Sequence, residues 1–223
     1  MCGRFTLTAD VNALQGAFPW LNVPPELQPR YNIAPSQPVA VVPNDGKRRL
    51  DFYTWGLIPS WAKDPSLGSR MINARAETLA EKPSFRNSFK RRRCLILADG
   101  FYEWRQEAQS QPKTPMYIRL EAGEPFAFAG LWDQWNAPDG STILSCTIIT
   151  TQPNSLVEKI HNRMPVILPA GAHSAWLEPG EQNPAELSRW LVPYPAAEMM
   201  AYPVSRRVNS PGNDSPDMIL PAQ

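Results

Sequence analysis

Prolines set the first limit on this chain: they make up 25 of its 223 residues, about twice the usual share, and they are scattered along most of its length. Proline removes a backbone donor and fixes φ. It therefore interrupts helices and is tolerated at strand starts, edges, bulges and turns. A chain punctuated this often is left with short strands joined by many loops. The apolar runs agree, falling at 2–7, 39–42, 50–55, 94–98, 101–104, 116–120, 126–131, 143–150, 166–168 and 200–204. Helical spacing is confined to 10–18, 84–89, 155–160, 170–176 and 185–191, with Ser155 and Glu158 predicting a capping box on the third of these. Strands outnumber helices and do not alternate with them. The expected fold is therefore α+β, a single domain over 1–223 around a mostly antiparallel, barrel-like β-sheet with short peripheral helices. The segments 179–184 and 210–216 read as loops.

Charge and cysteine usage narrow the function classes. Lys and Arg total 22 against 21 Asp and Glu, so any polyanion site must be a local cluster. No apolar stretch is long enough to span a bilayer or to serve as a signal peptide, which predicts a cytoplasmic protein with no membrane partner. Cys2, Cys94 and Cys146 are too few and too scattered for a disulfide framework. With no Cys-x-x-Cys, and His161 and His173 as the two histidines, no structural zinc site is expected.

Cys2 has the most distinctive chemistry. Removal of Met1 would leave an α-amine titrating near ~8 beside a thiol near ~8.5, so both nucleophiles are partly available at neutral pH. Together they can trap an aldehyde, the amine as a Schiff base and the thiol by closing a thiazolidine. Other segments carry polar residues in apolar surroundings. Glu103 lies among Phe101, Tyr102 and Trp104, where desolvation would raise its pKa towards that of a general acid; the alternative is a surface carboxylate on an edge strand. His161 follows a short helical pattern whose C-terminal dipole would favour a cationic imidazole, although a lone histidine is often structural. Asn73 and Arg75 share a face of an extended segment, suited to orienting a substrate oxygen and clamping a phosphate, or else to a turn and a solvated surface. Residues 90–93 read as a solvated basic face. Trp61 is either a stacking platform or a core residue.

In order along the chain stand MCGRF (1–5), RYNIAP (30–35), WGLIPSW (55–61), INARAET (72–78), RRRCLILADGFYEW (91–104), TIIT (147–150) and IHNRMPVIL (160–168), followed by YPVSRRVNSP and Met218-Ile219-Leu220-Pro221. This set resembles the SOS-response-associated peptidase (SRAP) family of abasic-site processing proteins. The resemblance implies a protein that recognises abasic sites in single-stranded DNA, with single-strand/double-strand junctions as a further candidate substrate. It would act as a monomer without metal or organic cofactor, crosslinking through Cys2 to the ring-opened deoxyribose aldehyde once Met1 is removed. It further implies Glu103 as the acid/base, His161 as the group stabilising the opened sugar's oxygen, and Asn73 as the residue positioning Cys2 and the sugar. Arg4, Arg75 and Arg163 would lie near flanking phosphates, and Trp61 would wedge or stack at the DNA. AP-lyase activity and removal of Met1 are implied companion activities. The chain departs from several relatives at Ala62, where they carry a second aromatic, and it lacks the long tail of some eukaryotic relatives, reading as a minimal bacterial version. Two alternatives use the same residues: an amidohydrolase with an N-terminal cysteine nucleophile, and a non-catalytic single-strand binder.

Overall fold

Two β-sheets share the chain in a computed structural model that describes residues 2–25, 27–107 and 112–222. In chain order the strands are β1 (Arg4–Leu7), β2 (Arg30–Ile33), β3 (Pro38–Pro43), β4 (Asp51–Trp55), β5 (Asn73–Arg75), β6 (Arg93–Ala98) and β7 (Gly100–Arg105). They continue with β8 (Thr114–Leu120), β9 (Phe126–Asn136), β10 (Thr142–Thr151), β11 (Met164–Pro165), β12 (Ile167–Leu168) and β13 (Met199–Pro203). The helices are short: α1 (Val11–Ala17), α2 (Arg86–Arg91), α3 (His173–Trp176) and α4 (Pro184–Ser188), with single 3₁₀ turns between.

One sheet runs β13-β8-β7-β1-β2 and is antiparallel throughout. In the other, β10, β4, β3, β6 and β9 pair in sequence, and β9 then pairs back onto β10 over 130–136 and 142–148, closing a five-stranded barrel. Past the closed stretch the edges are used as well: β10 pairs with β5 and β11, and β9 with β12. The antiparallel rule is broken where β10 runs parallel to β4 and to β5. The shortest crossing between the barrel and the open sheet is the passage of β6 into β7 through Asp99 alone. There Asp99 accepts from the Thr6 hydroxyl and from the amides of Thr8 and Ala9, fixing β1 against that corner. Phe5 on β1 meets Trp55 and Phe128 edge-on at 5.1 and 5.7 Å, so the sheet is seated on the barrel by aromatic packing. Gly100 is required at this corner, since a Cβ there would fall 2.2 Å from the Tyr117 hydroxyl.

Several local expectations are corrected. The 155–160 segment is a single 3₁₀ turn, Val157–Lys159, whose N-cap position is Leu156, and the side chain that holds its entry is Asn154. The Asn154 carboxamide oxygen accepts from the amides of Leu156 and Val157 at 3.1 and 2.9 Å, one residue earlier than Ser155 could reach. The basic run is not uniformly solvated: Arg93 is 0% exposed, and its guanidinium donates to the carbonyls of Phe89, Lys90, Trp176 and Glu178. Such a cation is tolerated because the loose C-terminal carbonyls of two short helices converge on it. The 210–216 loop is tied down. Buried Asn32 on β2 donates to the carbonyls of Val208, Ser210 and Asn213 at 3.1, 3.0 and 2.8 Å. Asn32→Ala removes these donors together, and we expect a loss of about 3 kcal/mol in urea denaturation, since orphaned buried acceptors cost more than a surface bond returns.

His173 makes a second stability prediction. It stacks on Phe18 at 5.4 Å, lies edge-on to Trp20 at 6.3 Å, and its Nε2 contacts the Leu168 carbonyl at 3.2 Å. Burial pushes its pKa below 6.5. Below that pH the unfolded chain binds a proton that the folded protein resists, so stability falls as the solution is acidified. Relative to wild type, His173→Phe should therefore gain in Tm as the pH falls from about 7 to about 5.

Candidate active site

The ladder that fixes β1 also places the N-terminal cysteine. Arg4, Phe5 and Thr6 face Tyr102, Phe101 and Gly100. The ladder ends two residues after Cys2, and Glu103, the residue after Tyr102, is near enough for its charge to act on the Cys2 thiol. Cys2 is fully buried, and its thiol points to the Arg4 carbonyl at 3.9 Å. Burial, reinforced by the Glu103 charge, pushes the thiol pKa up, so it is protonated at neutral pH.

Strand alternation orients the carboxylate. On β7, Phe101 joins the main core, whereas Tyr102 and Trp104 turn to the smaller cluster with Tyr31, Tyr117 and Val208. Glu103 shares the Phe101 face, on an interior strand between β1 and β8, and its side chain is 3% exposed. Burial raises its pKa from 4.5 to about 7. It is therefore poised between acid and base at neutral pH.

Asn73 arrives through the parallel pairing of β5 with β10, where it faces Ile148. Its Nδ2 donates to the Cys2 carbonyl at 2.8 Å, while its Oδ1 is buried without a hydrogen-bond partner among the described residues. His161 brings its Nε2 to 4.0 Å from Glu103 Oε2. Its Nδ1 lies 3.1 Å from the Arg163 amide and 3.3 Å from the Arg163 carbonyl. Nδ1 can accept from the amide or donate to the carbonyl according to the tautomer, and either contact holds the ring with Nε2 turned to Glu103. The expected cationic imidazole is corrected: burial lowers the His161 pKa, and the single 3₁₀ turn before it is too short to offset this with a helix dipole.

The other candidates separate. Arg75 is exposed and lines an open cleft of about 510 Å³ with Gln152, His161, Asn162 and Arg163. Arg163 is 8% exposed and paired with both oxygens of Glu77. Arg4 turns away to the C-terminal segment, donating to Asn32 Oδ1 at 3.0 Å and to the Val208 and Asn209 carbonyls at 2.7 and 3.3 Å. Trp61 is 57% exposed, on a loop held rigid by neighbours. Asp133 accepts from the Ser60 amide at 2.9 Å, and the Ile58 amide donates to Ser145 Oγ at 2.8 Å. Trp135 donates to the Ala62 carbonyl at 2.7 Å. Ala62 itself is buried against Ile58 and Trp135, which accounts for a small residue there. The same loop is joined to the Asn73 segment by the Leu57 amide, which donates to Met71 at 3.1 Å.

Sequence reasoning overlooked Glu77 as the partner of Arg163, and Asn32 and Asp133 as anchors. Glu77 lies within the INARAET motif, yet nothing local marks it as facing a residue 86 positions away. Among the described residues, no three His, Cys, Asp or Glu side chains are grouped to hold a metal ion.

Comparisons with known proteins bear on the chain as a whole. The family model described as "SOS response associated peptidase (SRAP)" matches residues 1–211. The chain is 50% identical over 222 residues to abasic site processing protein YoqW of Bacillus subtilis (strain 168), covering 98% of this chain and 99% of that protein. It is 32% identical over 260 residues to abasic site processing protein HMCES of Xenopus tropicalis, covering 97% of this chain and 77% of that one. A crystal structure of a protein from Bacteroides thetaiotaomicron superposes with a TM-score of 0.87 at 28% identity, with all of both chains covered.

Proposed function

From the premise that this chain belongs to the SOS response associated peptidase (SRAP) family, we propose that it processes abasic sites in single-stranded DNA by linking itself to them through Cys2. The observation that carries this reading is the convergence on Cys2 of three groups from separate strands and loops. Asn73 holds its carbonyl, Glu103 lies alongside on β7, and His161 faces Glu103.

The chemistry closes without an external reagent. Ring opening breaks the C1′–O4′ bond of the abasic sugar: O4′ takes a proton from protonated Glu103 and the C1′ hydroxyl gives one up, leaving an aldehyde. The Nε2–H of His161 stabilises the released oxygen. Removal of Met1, which lies outside the described residues, frees the α-amine. The amine adds to C1′ and loses water to give an imine. The thiol then adds across C=N, its proton passing to nitrogen through Glu103, and a five-membered ring results. An imine that lingers acidifies the C2′ protons, and loss of one expels the 3′ phosphate, which is AP-lyase chemistry.

Arg75 and Trp61, both exposed, supply a phosphate contact and a stacking surface. The protein works as a monomer on single strands and single-strand/double-strand junctions. The test is incubation with a single-stranded oligonucleotide carrying one abasic site, followed by denaturing electrophoresis. A shifted band that survives boiling is expected. Its absence, together with cleavage of amide substrates, would favour an amidohydrolase.

A further inference from the structure

Arg163 and its partner are arranged unlike a free phosphate ligand. After β5 the chain turns through Ala76–Thr78, and the parallel register of Arg75 with Thr150 sets Glu77 against the end of β10. Glu77 accepts from Arg163 Nη1 and Nη2 at 2.6 and 2.9 Å, and Nη2 also donates to the Thr150 carbonyl at 2.6 Å. The pairing holds the Glu77 carboxyl below the usual carboxylate range. The guanidinium is thus oriented inward, fork to fork, although the Glu77 side chain is 44% exposed.

This pair anchors the far end of the turn that aims His161. The Arg163 amide and carbonyl lie 3.1 and 3.3 Å from His161 Nδ1, and these contacts fix the ring with Nε2 facing Glu103. We propose that Glu77 is a positioning residue for His161, acting through Arg163. The inference rests on the role given to His161 above. Without Glu77 the buried guanidinium lacks its counter-charge and swings towards the cleft, carrying residues 161–163 with it. The Nδ1 contact is then broken and the ring is free to change tautomer.

The test uses the full chain with Glu77→Ala and Glu77→Gln, the latter keeping one acceptor without the charge. Three quantities are measured: the rate of adduct formation on abasic single-stranded DNA, the affinity for the same strand with a tetrahydrofuran analogue that has no aldehyde, and the ring ¹⁵N shifts of His161. The chain has two histidines, so the ring spectrum is readily assigned with a His173→Phe control. Glu77→Ala should slow adduct formation about tenfold or more while analogue affinity changes less than about threefold, because it disturbs orientation and leaves the exposed contacts intact. Glu77→Gln should fall between it and wild type. The ring shifts should move from those of a single tautomer to those of a mixture. Unchanged shifts with a wild-type rate would overturn the proposal, as would tighter DNA binding with an equal or faster rate, which would mark Glu77 as mere repulsion. If wild type forms no adduct, the proposed function fails, and the ring shifts still decide the positioning role.

Discussion

Cys2→Ala should abolish the denaturation-resistant adduct while leaving noncovalent binding of abasic single-stranded DNA within about threefold of wild type. The separation follows from where the residue sits. Cys2 is fully buried at the head of β1, whereas Arg75 and Trp61, the exposed candidates for DNA contact, stand on other segments. Alanine keeps the α-amine, so a Schiff base still forms and borohydride should trap it. The adduct lost is the ring-closed one. Cys2→Ser should behave likewise, because a hydroxyl closes the five-membered ring poorly. A stable adduct at wild-type yield from Cys2→Ala would show that the thiol is not used.

Glu103→Gln should slow adduct formation by roughly 10²- to 10⁴-fold, the usual reach of a positioned acid/base. The pH profile gives the sharper signature. Ring opening needs Glu103 protonated, which it is below about pH 7. Imine formation needs the amine unprotonated, above about pH 8. The wild-type rate should therefore be bell-shaped, and Glu103→Gln should lose the alkaline limb. Stability should move the other way. The folded-state pKa of Glu103 is raised, so its contribution is greatest below the unfolded value of 4.5 and is lost as pH rises through about 7. A neutral amide escapes that loss, and Glu103→Gln should be more stable than wild type at about pH 8 by roughly 3 kcal/mol, an upper figure from the size of the shift. A variant that is slower yet more stable cannot be explained as a folding defect.

Much of the fold was legible because its signals are local. The apolar runs at 39–42, 94–98 and 143–150 match β3, β6 and β10 to within a residue or two, since apolar residues, many of them β-branched, occupy both faces of these buried strands. The missed strands are those whose pairing is dictated from elsewhere. RYNI of β2 is half polar, yet Asn32 and Arg30 are drawn in by partners in the last part of the chain: Val208, Ser210 and Asp214. NAR of β5 is extended because β10 offers it a parallel edge.

The candidate site divides the same way. Residue type singled out Cys2, Asn73, Glu103 and His161, but their meeting depends on the β1–β7 register and the β5–β10 ladder, which leave no local trace in sequence. The arginines show the limit most clearly. Arg4, Arg75 and Arg163 look alike as letters, and each has the reach for a phosphate. In the folded chain Arg75 is open to solvent, Arg4 binds the C-terminal segment, and Arg163 binds Glu77. Only the three-dimensional partner of each guanidinium distinguishes a ligand contact from a clasp.

The most direct test of the central claim is mass spectrometry of the adduct after nuclease and protease digestion. The account predicts one modified peptide, the N-terminal one, beginning at Cys2 with Met1 absent and carrying the sugar remnant on residue 2 with both amine and thiol blocked. A remnant on a lysine, or an adduct on a chain that still begins with Met1, would contradict it.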